Sequence, residues 1–441
     1  MRCIEASLQS RYTPVGPAHV GGGDQSMAER LLAGIRVLDL TTVVVGPAAT
    51  LRLADYGAEI IKIEAPEGDL MRVIGGPSHS GELSGKFMHF NRSKRFACLN
   101  LKLPSARTIM QELIARCDVF VSNIRPNALE RLGLDARTCV SRKPDLIHCL
   151  IAGFGPGGPY RGRPAYDTVL QGASGIAGLS QERDGAPSYA PFLAVDHVVG
   201  EITAGAIAAA LFKRSRTGEG TTLEIPMHET MAGFVLKEHL GAATFVPPLG
   251  PPGDMRVLDK FNRPWPTQDG WITITANSDA QAAALLRTIG REDLIADPRF
   301  LTVADRYRNA SAWFGLRTAL EHKPTAHWLQ ALEAVDVPAM PCHTLGTLAD
   351  DPHLKAVGLT HSVTHPVEGP VTAIRPSILI DDEVPQADTL AKPLGWDTVE
   401  ILQEIGVTLD EIKQLIAAGA IHDGRGQGPI PANKADLAGD R

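Results

Sequence analysis

Short apolar segments alternate with helical segments through the first third of the chain, and this alternation restricts the fold more than any other feature. Residues 35–40 and 59–64 are apolar runs of strand length, and Pro47 and Gly57 suit the start and the end of a helix between them. Strand–helix–strand units of this kind favour a parallel sheet. Three later apolar segments are also expected to be strands: residues 96–101, 119–121 and 146–151.

Longer helical patterns separate these strands and follow them. Apolar residues recur at helical spacing after Pro104, and an Ala-rich stretch over residues 196–214 predicts a long helix that Asp196 would cap. Another strand is expected at residues 223–225. We therefore predict an α/β fold with a Rossmann-like large domain, whose strand order provides a crevice for a nucleotide-like ligand.

The composition changes after about residue 240, which indicates a second, smaller α/β domain. Residues 247–253 are rich in proline and glycine, and residues 270–274 begin a new apolar segment. Helices are expected at residues 278–289, at residues 306–321 and, as an amphipathic pair, within residues 399–416. The predicted parts are a disordered N-terminal extension (1–30), a large domain (31–235, completed by 355–422), a small domain (240–345) and a mobile C-terminal tail (423–441).

Composition excludes several classes of function. The chain has 441 residues, of which 44% are hydrophobic and 21% charged, and its net charge is 43 − 50 = −7. A nucleic-acid partner is not expected, because such proteins carry a basic excess. A membrane span is not expected either, because the longest apolar stretch is interrupted by Glu201 and is shorter than about 20 residues. Six cysteines without a CxxC pair predict a cytoplasmic protein with reduced thiols.

Two motifs suggest cofactors but lack the required context. The glycine-rich residues 153–158 follow a strand, yet two prolines and the absence of a following helix argue against a dinucleotide site. A close approach of a ligand to this loop is the better interpretation. Four histidines between His343 and His365 lie in irregular segments without ligand spacing, so no metal site is predicted.

Asp167 is the strongest candidate for chemistry in the chain. It lies a few residues after the glycine-rich loop and directly before a short helical segment, residues 168–171. Aspartate is a preferred residue at the N-cap, so a purely structural role is one interpretation. The alternative is a carboxylate nucleophile at a helix N-terminus, where backbone N–H groups stabilise negative charge.

A series of motifs in a fixed order resembles the family III CoA transferases, the CaiB/BaiF or formyl-CoA transferase-like family. The resemblance extends from about residue 31 to residue 422. The motifs are LDLT (38–41) with GP (46–47), DYGAEIIKIE (55–64), FNRSKR (90–95), NIRPNALERLG (123–133), RPAYD (163–167), RTGEG (216–220) and PAMP (338–341).

This resemblance implies an acyl-CoA:carboxylate CoA transferase. Its members are two-domain proteins that form interlocked homodimers and hold CoA on the large domain. The resemblance places the catalytic nucleophile at Asp167. It implies no permanently bound cofactor, since the CoA thioester is a substrate, and a free acid, expected to be dicarboxylic, as the other substrate. The expected CoA-binding residues are Asn123, Arg131, Lys94, Arg95, Thr42 and Val43.

One departure from the family bears on the substrate, and a related branch provides an alternative. Val44 stands where oxalate-type members have glutamine, which favours a larger or less polar acid than oxalate. The α-methylacyl-CoA racemases share the fold but need a second acid–base group. Apart from Asp167 no such group is evident, and His148 is expected in the core, so the transferase is favoured over a racemase or isomerase. A non-catalytic nucleotide-binding protein is the remaining alternative.

Overall fold

A seven-stranded, largely parallel sheet organises most of the chain in the computed structural model, which describes residues 30–385 and 389–425. The strands are β1 (Arg36–Leu40), β2 (Glu59–Glu64), β3 (Lys94–Leu99), β4 (Val119–Ser122), β5 (Ile147–Ala152), β6 (Thr221–Pro226), β7 (Trp265–Pro266), β8 (Trp271–Ile274), β9 (Ala339–Pro341), β10 (Thr360–His365), β11 (Gly369–Ile374) and β12 (Ile421–His422). The large sheet has the order β12-β3-β2-β1-β4-β5-β6, and β12 alone in it runs antiparallel to its neighbour.

Helices connect these strands. The α-helices are α1 (Val45–Asp55), α2 (Met71–Ile74), α3 (Gly85–Phe90), α4 (Pro104–Ala115), α5 (Pro126–Leu132), α6 (Ala136–Arg142), α7 (Asp167–Ala173), α8 (Ile176–Asp184), α9 (Ala194–Thr217), α10 (Met227–His239), α11 (Asp279–Thr288), α12 (Val303–Arg308), α13 (Ala310–Phe314), α14 (Thr325–Glu333), α15 (Leu345–Leu348), α16 (Pro352–Ala356), α17 (Thr398–Glu404) and α18 (Leu409–Ala417). Short 3-10 helices span Gly241–Thr244, Glu292–Leu294 and Gly315–Leu320.

The two faces of the large sheet bury two separate hydrophobic clusters. Alternate residues of a strand point to opposite faces, so Leu38 packs with helices α4, α5, α6, α17 and α18, whereas Val37 packs with α1, α7, α9 and α10. Helix α9 crosses α1 so closely that a Cβ on Gly200 would lie 3.0 Å from that of Ala48. By length and composition alone α9 could cross a membrane, but half of its apolar window is buried in the fold. This packing is typical of a core helix.

A second cluster of secondary structure forms around a small antiparallel sheet of β7, β8 and β9. Helices α11, α13 and α14 pack against it through a core that includes Leu285, Trp313 and Trp328. These elements lie within the residues predicted as the small domain, 240–345. The helix predicted at residues 306–321 is instead divided into α12, α13 and a 3-10 helix.

The large mixed α/β sheet predicted from the sequence is confirmed, with corrections at its edges. The strand predicted at 96–101 begins earlier, at Lys94, and the hairpin of β10 and β11 was not predicted. Helix α9 begins at Ala194 with Leu193 as N-cap, so Asp196 lies in its first turn and is not the cap. The predicted N-terminal extension, apart from residue 30, and residues 426–441 of the predicted tail lie outside the described residues.

Candidate active site

The order of strands reverses between β1 and β4, and a cleft opens where these two strands end. Such a reversal creates a crevice at the carboxyl edge of a doubly wound sheet. Thr42 follows β1 and Asn123 follows β4, and they form reciprocal hydrogen bonds. The Thr42 N–H donates to Asn123 Oδ1 at 3.0 Å, and Asn123 Nδ2 donates to the Thr42 carbonyl at 2.9 Å. The structure thus brings together two residues that the sequence assigned to CoA binding.

The next residue of this loop, Val43, has an unusual backbone conformation. Its φ of 68° lies in the left-handed region, which a β-branched residue rarely adopts. The buried carboxylate of Asp69 accepts the Val43 N–H at 3.1 Å, and Lys62 in turn donates to Asp69 at 3.1 Å. Backbone strain of this kind is found where the surrounding structure holds a loop in a functional shape. Thr42, Val43 and Asn123 all line the cleft.

Asp167 lies on the floor of the same cleft and is held by N–H donors alone. Its Oδ1 accepts the N–H groups of Val195 at 2.8 Å and Asp196 at 3.1 Å, both in the first turn of α9. Its Oδ2 accepts the amide of Gln171 at 2.6 Å. The side chain is 4% exposed and lines the cleft. Because every partner donates, the carboxylate is held as an anion that accepts hydrogen bonds.

This arrangement corrects the structural interpretation of Asp167. Tyr166, not Asp167, is the N-cap of α7, and it makes no side-chain capping hydrogen bond. The carboxylate instead binds the N-terminus of the 24-residue helix α9, which is remote in sequence. A helix N-terminus stabilises an anion through its free N–H groups and its dipole. The functional interpretation named the right kind of environment, but the helix that provides it is a different one.

A second carboxyl group, that of Asp196, also lines the cleft. It is 6% exposed, and no described residue donates a hydrogen bond to its oxygens. Burial, together with the negative charge of Asp167, raises the pKa of Asp196 to about 7. Asp196 was not predicted as a site residue, since the two aspartates are 29 positions apart in the sequence. Its signal was an acidic residue in an otherwise Ala-rich helix.

Two arginines that the sequence analysis did not select also line the cleft. Arg125 follows β4 immediately before α5, and Arg163 stacks on the ring of Tyr160 at 4.6 Å. The side chain of Arg125 has no hydrogen-bond or ion-pair partner among the described residues. An exposed guanidinium without a protein partner is suited to bind phosphate. Both arginines occur in motifs quoted above, NIRPNALERLG and RPAYD, and this was the available signal.

Lys94, by contrast, is in the wrong place for a CoA ligand. Its side chain is fully buried, and the three N–H groups of its ammonium are shared among four acceptors: Asp39 at 3.1 Å, the Pro47 carbonyl at 3.1 Å, Thr50 at 2.8 Å and Asn91 at 2.9 Å. Burial lowers the pKa of Lys94 to about 8, and the carboxylate of Asp39 opposes this shift. All its hydrogen-bonding capacity is used inside the protein, so the predicted phosphate contact is not available.

The remaining two predicted basic residues differ from each other. Arg95 is bound to Glu404 at 2.6 Å and to Glu59 at 2.8 Å, so its guanidinium is already paired with carboxylates. This pairing argues against its predicted role at a phosphate. Arg131 lies exposed in the last turn of α5 without a side-chain partner among the described residues, and it remains a predicted CoA contact.

The glycine-rich loop contacts the cleft through Gly153 and Phe154. The N–H of Gly155 is bound to Glu229 Oε1 at 2.8 Å, so it is not free to bind a substrate oxygen. His148 lies in β5, 2% exposed, with Nε2 within 3.1 Å of the Leu134 carbonyl, which confirms the core role predicted for it. Within residues 30–385 and 389–425, no three His, Cys, Asp or Glu side chains are grouped as a metal would require.

The fold and the cleft define an α/β enzyme with a buried anionic aspartate at a topological switch point. Comparison with known proteins identifies the class, since the model of CoA-transferase family III matches residues 32–398. The chain belongs to this family and is a CoA transferase.

Individual relatives agree with this assignment over most of their length. Succinyl-CoA:glutarate CoA-transferase of Mus musculus is 31% identical over 400 residues, covering 88% of this chain and 90% of the relative. Acetyl-CoA:oxalate CoA-transferase of Acetobacter aceti is 34% identical over 327 residues, covering 73% of this chain and 83% of the relative. The crystal structure of a CaiB/BaiF family protein from Brucella suis superposes with a TM-score of 0.71 at 29% identity, covering 84% of this chain and 98% of that one.

Proposed function

We propose that this enzyme moves CoA from an acyl-CoA thioester to a free dicarboxylic acid, with Asp167 as the nucleophile. The observation that carries the proposal is the environment of Asp167, a buried carboxylate in the cleft that is held in the anionic form by three N–H donors. A carboxylate nucleophile must be ionised, and it must be fixed near the carbon that it attacks. The N–H donors around Asp167 favour the ionised form and fix the carboxylate in the cleft, which supports this role.

In the first half of the reaction, an oxygen of Asp167 bonds to the acyl carbon and the C–S bond breaks. The products are a mixed anhydride and CoA thiolate. The thiolate then attacks the aspartyl carbon, the C–O bond of the anhydride breaks, and the donor acid leaves as a carboxylate. Asp167 now carries CoA as a thioester, and no net proton has moved.

The second half reverses these steps with another acid. The acceptor carboxylate attacks the aspartyl carbon, CoA thiolate leaves, and the thiolate then attacks the acyl carbon of the new anhydride. The Asp167 carboxylate is released with the new acyl-CoA. Both intermediates react with water, so the buried position of Asp167 favours transfer over hydrolysis.

The N-terminus of α9 supports the steps that take place at the aspartyl carbon. If Oδ2 forms the anhydride, Oδ1 remains the aspartyl carbonyl oxygen and keeps its hydrogen bonds to Val195 and Asp196. Attack by thiolate or carboxylate develops negative charge on this oxygen. Two N–H donors already aimed at it stabilise that charge, and loss of one such donor typically costs about 100-fold to 1,000-fold in kcat.

The CoA moiety is proposed to lie along the open side of the cleft. Arg125 and Arg163 provide unpaired cations for its phosphates, and Thr42, Val43 and Asn123 form the wall against which the chain of CoA would lie. Arg131 extends the basic surface along α5. This assignment replaces Lys94 and Arg95 of the sequence analysis with two arginines of the cleft.

The acid is proposed to be a dicarboxylate such as succinate, glutarate or mesaconate. The name of the relative from Mus musculus supports succinyl-CoA and glutarate. That Val44 disfavours oxalate stays a prediction. The Val44 side chain is fully buried against Met71 and Phe87, and the relative from Acetobacter aceti is named for oxalate. Oxalate therefore belongs among the acids to be tested.

The active form is proposed to be the interlocked homodimer of the family, in the cytoplasm. Large apolar side chains are exposed on and after α9 and α10, including Phe212, Phe234, Leu236, Phe245 and Leu249, and a second copy would cover them. Light scattering should give twice the chain mass of 47.1 kDa, and a mass near that of one chain contradicts the dimer. Buried free thiols at four cysteines, Cys98, Cys117, Cys139 and Cys149, support a reducing compartment.

The experiment that tests this function combines a substrate panel with Asp167→Asn. Succinyl-CoA and acetyl-CoA are incubated with glutarate, succinate, mesaconate, itaconate and oxalate, and new CoA esters are read by mass spectrometry. Wild type should form at least one new ester, and Asp167→Asn should lose several orders of magnitude, because an amide cannot form the anhydride. The amide variant can still accept the N–H groups of α9 through its oxygen, so fold and dimer should persist.

Two further readouts exclude other interpretations. Hydroxylamine added to wild type with acyl-CoA should form a hydroxamate on the peptide that contains Asp167, and a label on another carboxylate contradicts the assignment. One observation supports the racemase alternative, because Asp196 is a second titratable group close to Asp167. It predicts exchange of the α-hydrogen of 2-methylacyl-CoA in D2O without any acceptor acid. Such exchange together with absent CoA transfer would favour the racemase.

A further inference from the structure

The steps that take place at the substrate's acyl carbon need a hydrogen-bond donor of their own. Negative charge develops on the acyl oxygen when Asp167 attacks the thioester and again when thiolate attacks the anhydride. The N–H groups of Val195 and Asp196 are engaged with Asp167, and that of Gly155 is engaged with Glu229. The donor for the acyl oxygen must therefore be another group in the cleft.

We propose that Asp196 is a catalytic carboxylic acid, neutral in the resting site, whose O–H donates a hydrogen bond to the acyl oxygen of the substrate. The inference rests on the proposed function of Asp167. It adds a second catalytic group to the reaction and assigns it one task, which is to stabilise charge without giving up its proton. No bond of Asp196 is made or broken, so the proton balance of the transfer is unchanged.

The geometry indicates which of the two carboxyl groups carries a proton. Asp167 receives three N–H donors, all of which favour the anion, whereas Asp196 receives none from the described residues. Both groups are buried and line one cleft, and two adjacent carboxylates repel each other. The proton of the pair is therefore held by Asp196. A neutral carboxylic acid has an O–H donor, which a carboxylate lacks.

The surroundings of Asp196 contain several other ionisable side chains. Helices α1, α7 and α10 and strands β5 and β6 pack against α9. Their charged and histidine residues are Arg52, Asp55, His148, Asp167, Glu224, His228, Glu229, Lys237, Glu238 and His239. Asp55 is paired with Arg92, Glu229 binds a backbone N–H, and Glu224 faces Arg161. The arginines of the cleft, Arg125 and Arg163, are assigned to CoA phosphates. The charge that acts on Asp196 is that of Asp167, and with burial it raises the pKa to about 7.

The sign of the pH effect follows from this environment. The raised pKa means that Asp196 is a donor below about pH 7 and an anion above it. An ionised Asp196 cannot donate, and it repels both the developing oxyanion and the incoming carboxylate. Transfer should therefore fall as pH rises through about 7.

The test compares Asp196→Asn with Asp196→Ala, using succinyl-CoA and glutarate or the pair that the panel ranks first. Asparagine keeps a neutral donor of the same shape, so kcat at pH 6 should remain within about tenfold of wild type and the alkaline decline should disappear. Alanine removes the donor, and kcat should fall about 100-fold to 1,000-fold with little change in KM. Glu201→Gln, five positions further along α9 and paired with Arg52, is the matched control and should leave kcat and the alkaline decline unchanged.

Infrared difference spectra of the dimer or full chain provide a readout that does not need activity. Wild type should show the carbonyl stretch of a protonated carboxylic acid at pH 6, lost at pH 9 and absent from Asp196→Asn. If wild type transfers no CoA, the proposed function fails, but this band still decides whether Asp196 is neutral. The inference is overturned if the band is missing, if the asparagine variant is as slow as the alanine variant, or if it keeps the alkaline decline.

Discussion

Charged residues are concentrated in two regions of the large domain, but they are paired with opposite charges in only one of them. On strands β1, β2 and β3 and in the loop after β2, the residues Asp39, Lys62, Lys94 and Asp69 are fully or almost fully buried, and each is bound to an opposite charge. In the cleft, Arg125 and the carboxyl group of Asp196 have no such partner among the described residues.

The difference shows that partners, more than charge alone, distinguish a structural ion from a functional one. Burying a charge is costly unless it is paired and hydrogen-bonded, so a fully paired ion has little left to offer a ligand. An unpaired group in a cleft keeps its binding capacity. The buried network also contributes indirectly, because Asp69 holds Val43 in the conformation that shapes the wall of the cleft.

The largest effect that would test this contrast is expected for Lys94→Met. The variant leaves the Asp39 carboxylate buried without its ammonium partner, so the free energy of unfolding should fall by about 3 to 5 kcal/mol. Urea denaturation measures this loss. Lys102→Met is the matched control, because Lys102 is exposed and only faces Glu67 at the surface. A stable Lys94→Met variant with a raised KM for acyl-CoA would place Lys94 in the site and remove the contrast.

Lys94 also illustrates what the sequence reveals and what it does not. The fold follows from local patterns: β2 spans the predicted residues 59–64, and the amphipathic helix after Pro104 is α4. A basic residue next to a family motif looks like a phosphate ligand. Three of its four acceptors lie 44 to 55 residues away in the sequence, and no local pattern identifies them. Burial of a lysine becomes visible only in three dimensions.

The candidate site divides in the same way. Asp167 could be identified because it lies in the motif RPAYD, and the sequence also predicted that a helix N-terminus would surround it. The helix that binds it could not be named, since Val195 is 28 positions away and reaches Asp167 only through the packing of α7 on α9. Asp196 was interpreted as a helix cap for the same reason. The raised pKa of Asp196 arises from burial and from its proximity to Asp167, and neither can be recognised from the sequence of α9 alone.

A second test compares an unpaired arginine of the cleft with an arginine that is already paired with carboxylates. Arg125→Ala should raise KM for the CoA ester about tenfold or more with little change in kcat, because a phosphate contact is present in both ground and transition states. Arg95→Ala should leave that KM unchanged, since Arg95 is bound to Glu59 and Glu404. Steady-state kinetics with varied acyl-CoA measures both. The reverse result, a raised KM only in Arg95→Ala, would restore the sequence-based assignment.

The smallest effect is expected outside the lining of the cleft, for Arg131→Ala in the last turn of α5. Arg131 is exposed on α5, so any contact with a CoA phosphate is screened by solvent and salt. KM for the CoA ester should rise only a few-fold at low ionic strength, and the difference from wild type should shrink as salt is added. Lys413→Ala, an exposed cation on α18, is the charge-matched control. An effect of Arg131→Ala that equals that of Arg125→Ala and resists salt would mean that the phosphate site extends, well shielded, along α5.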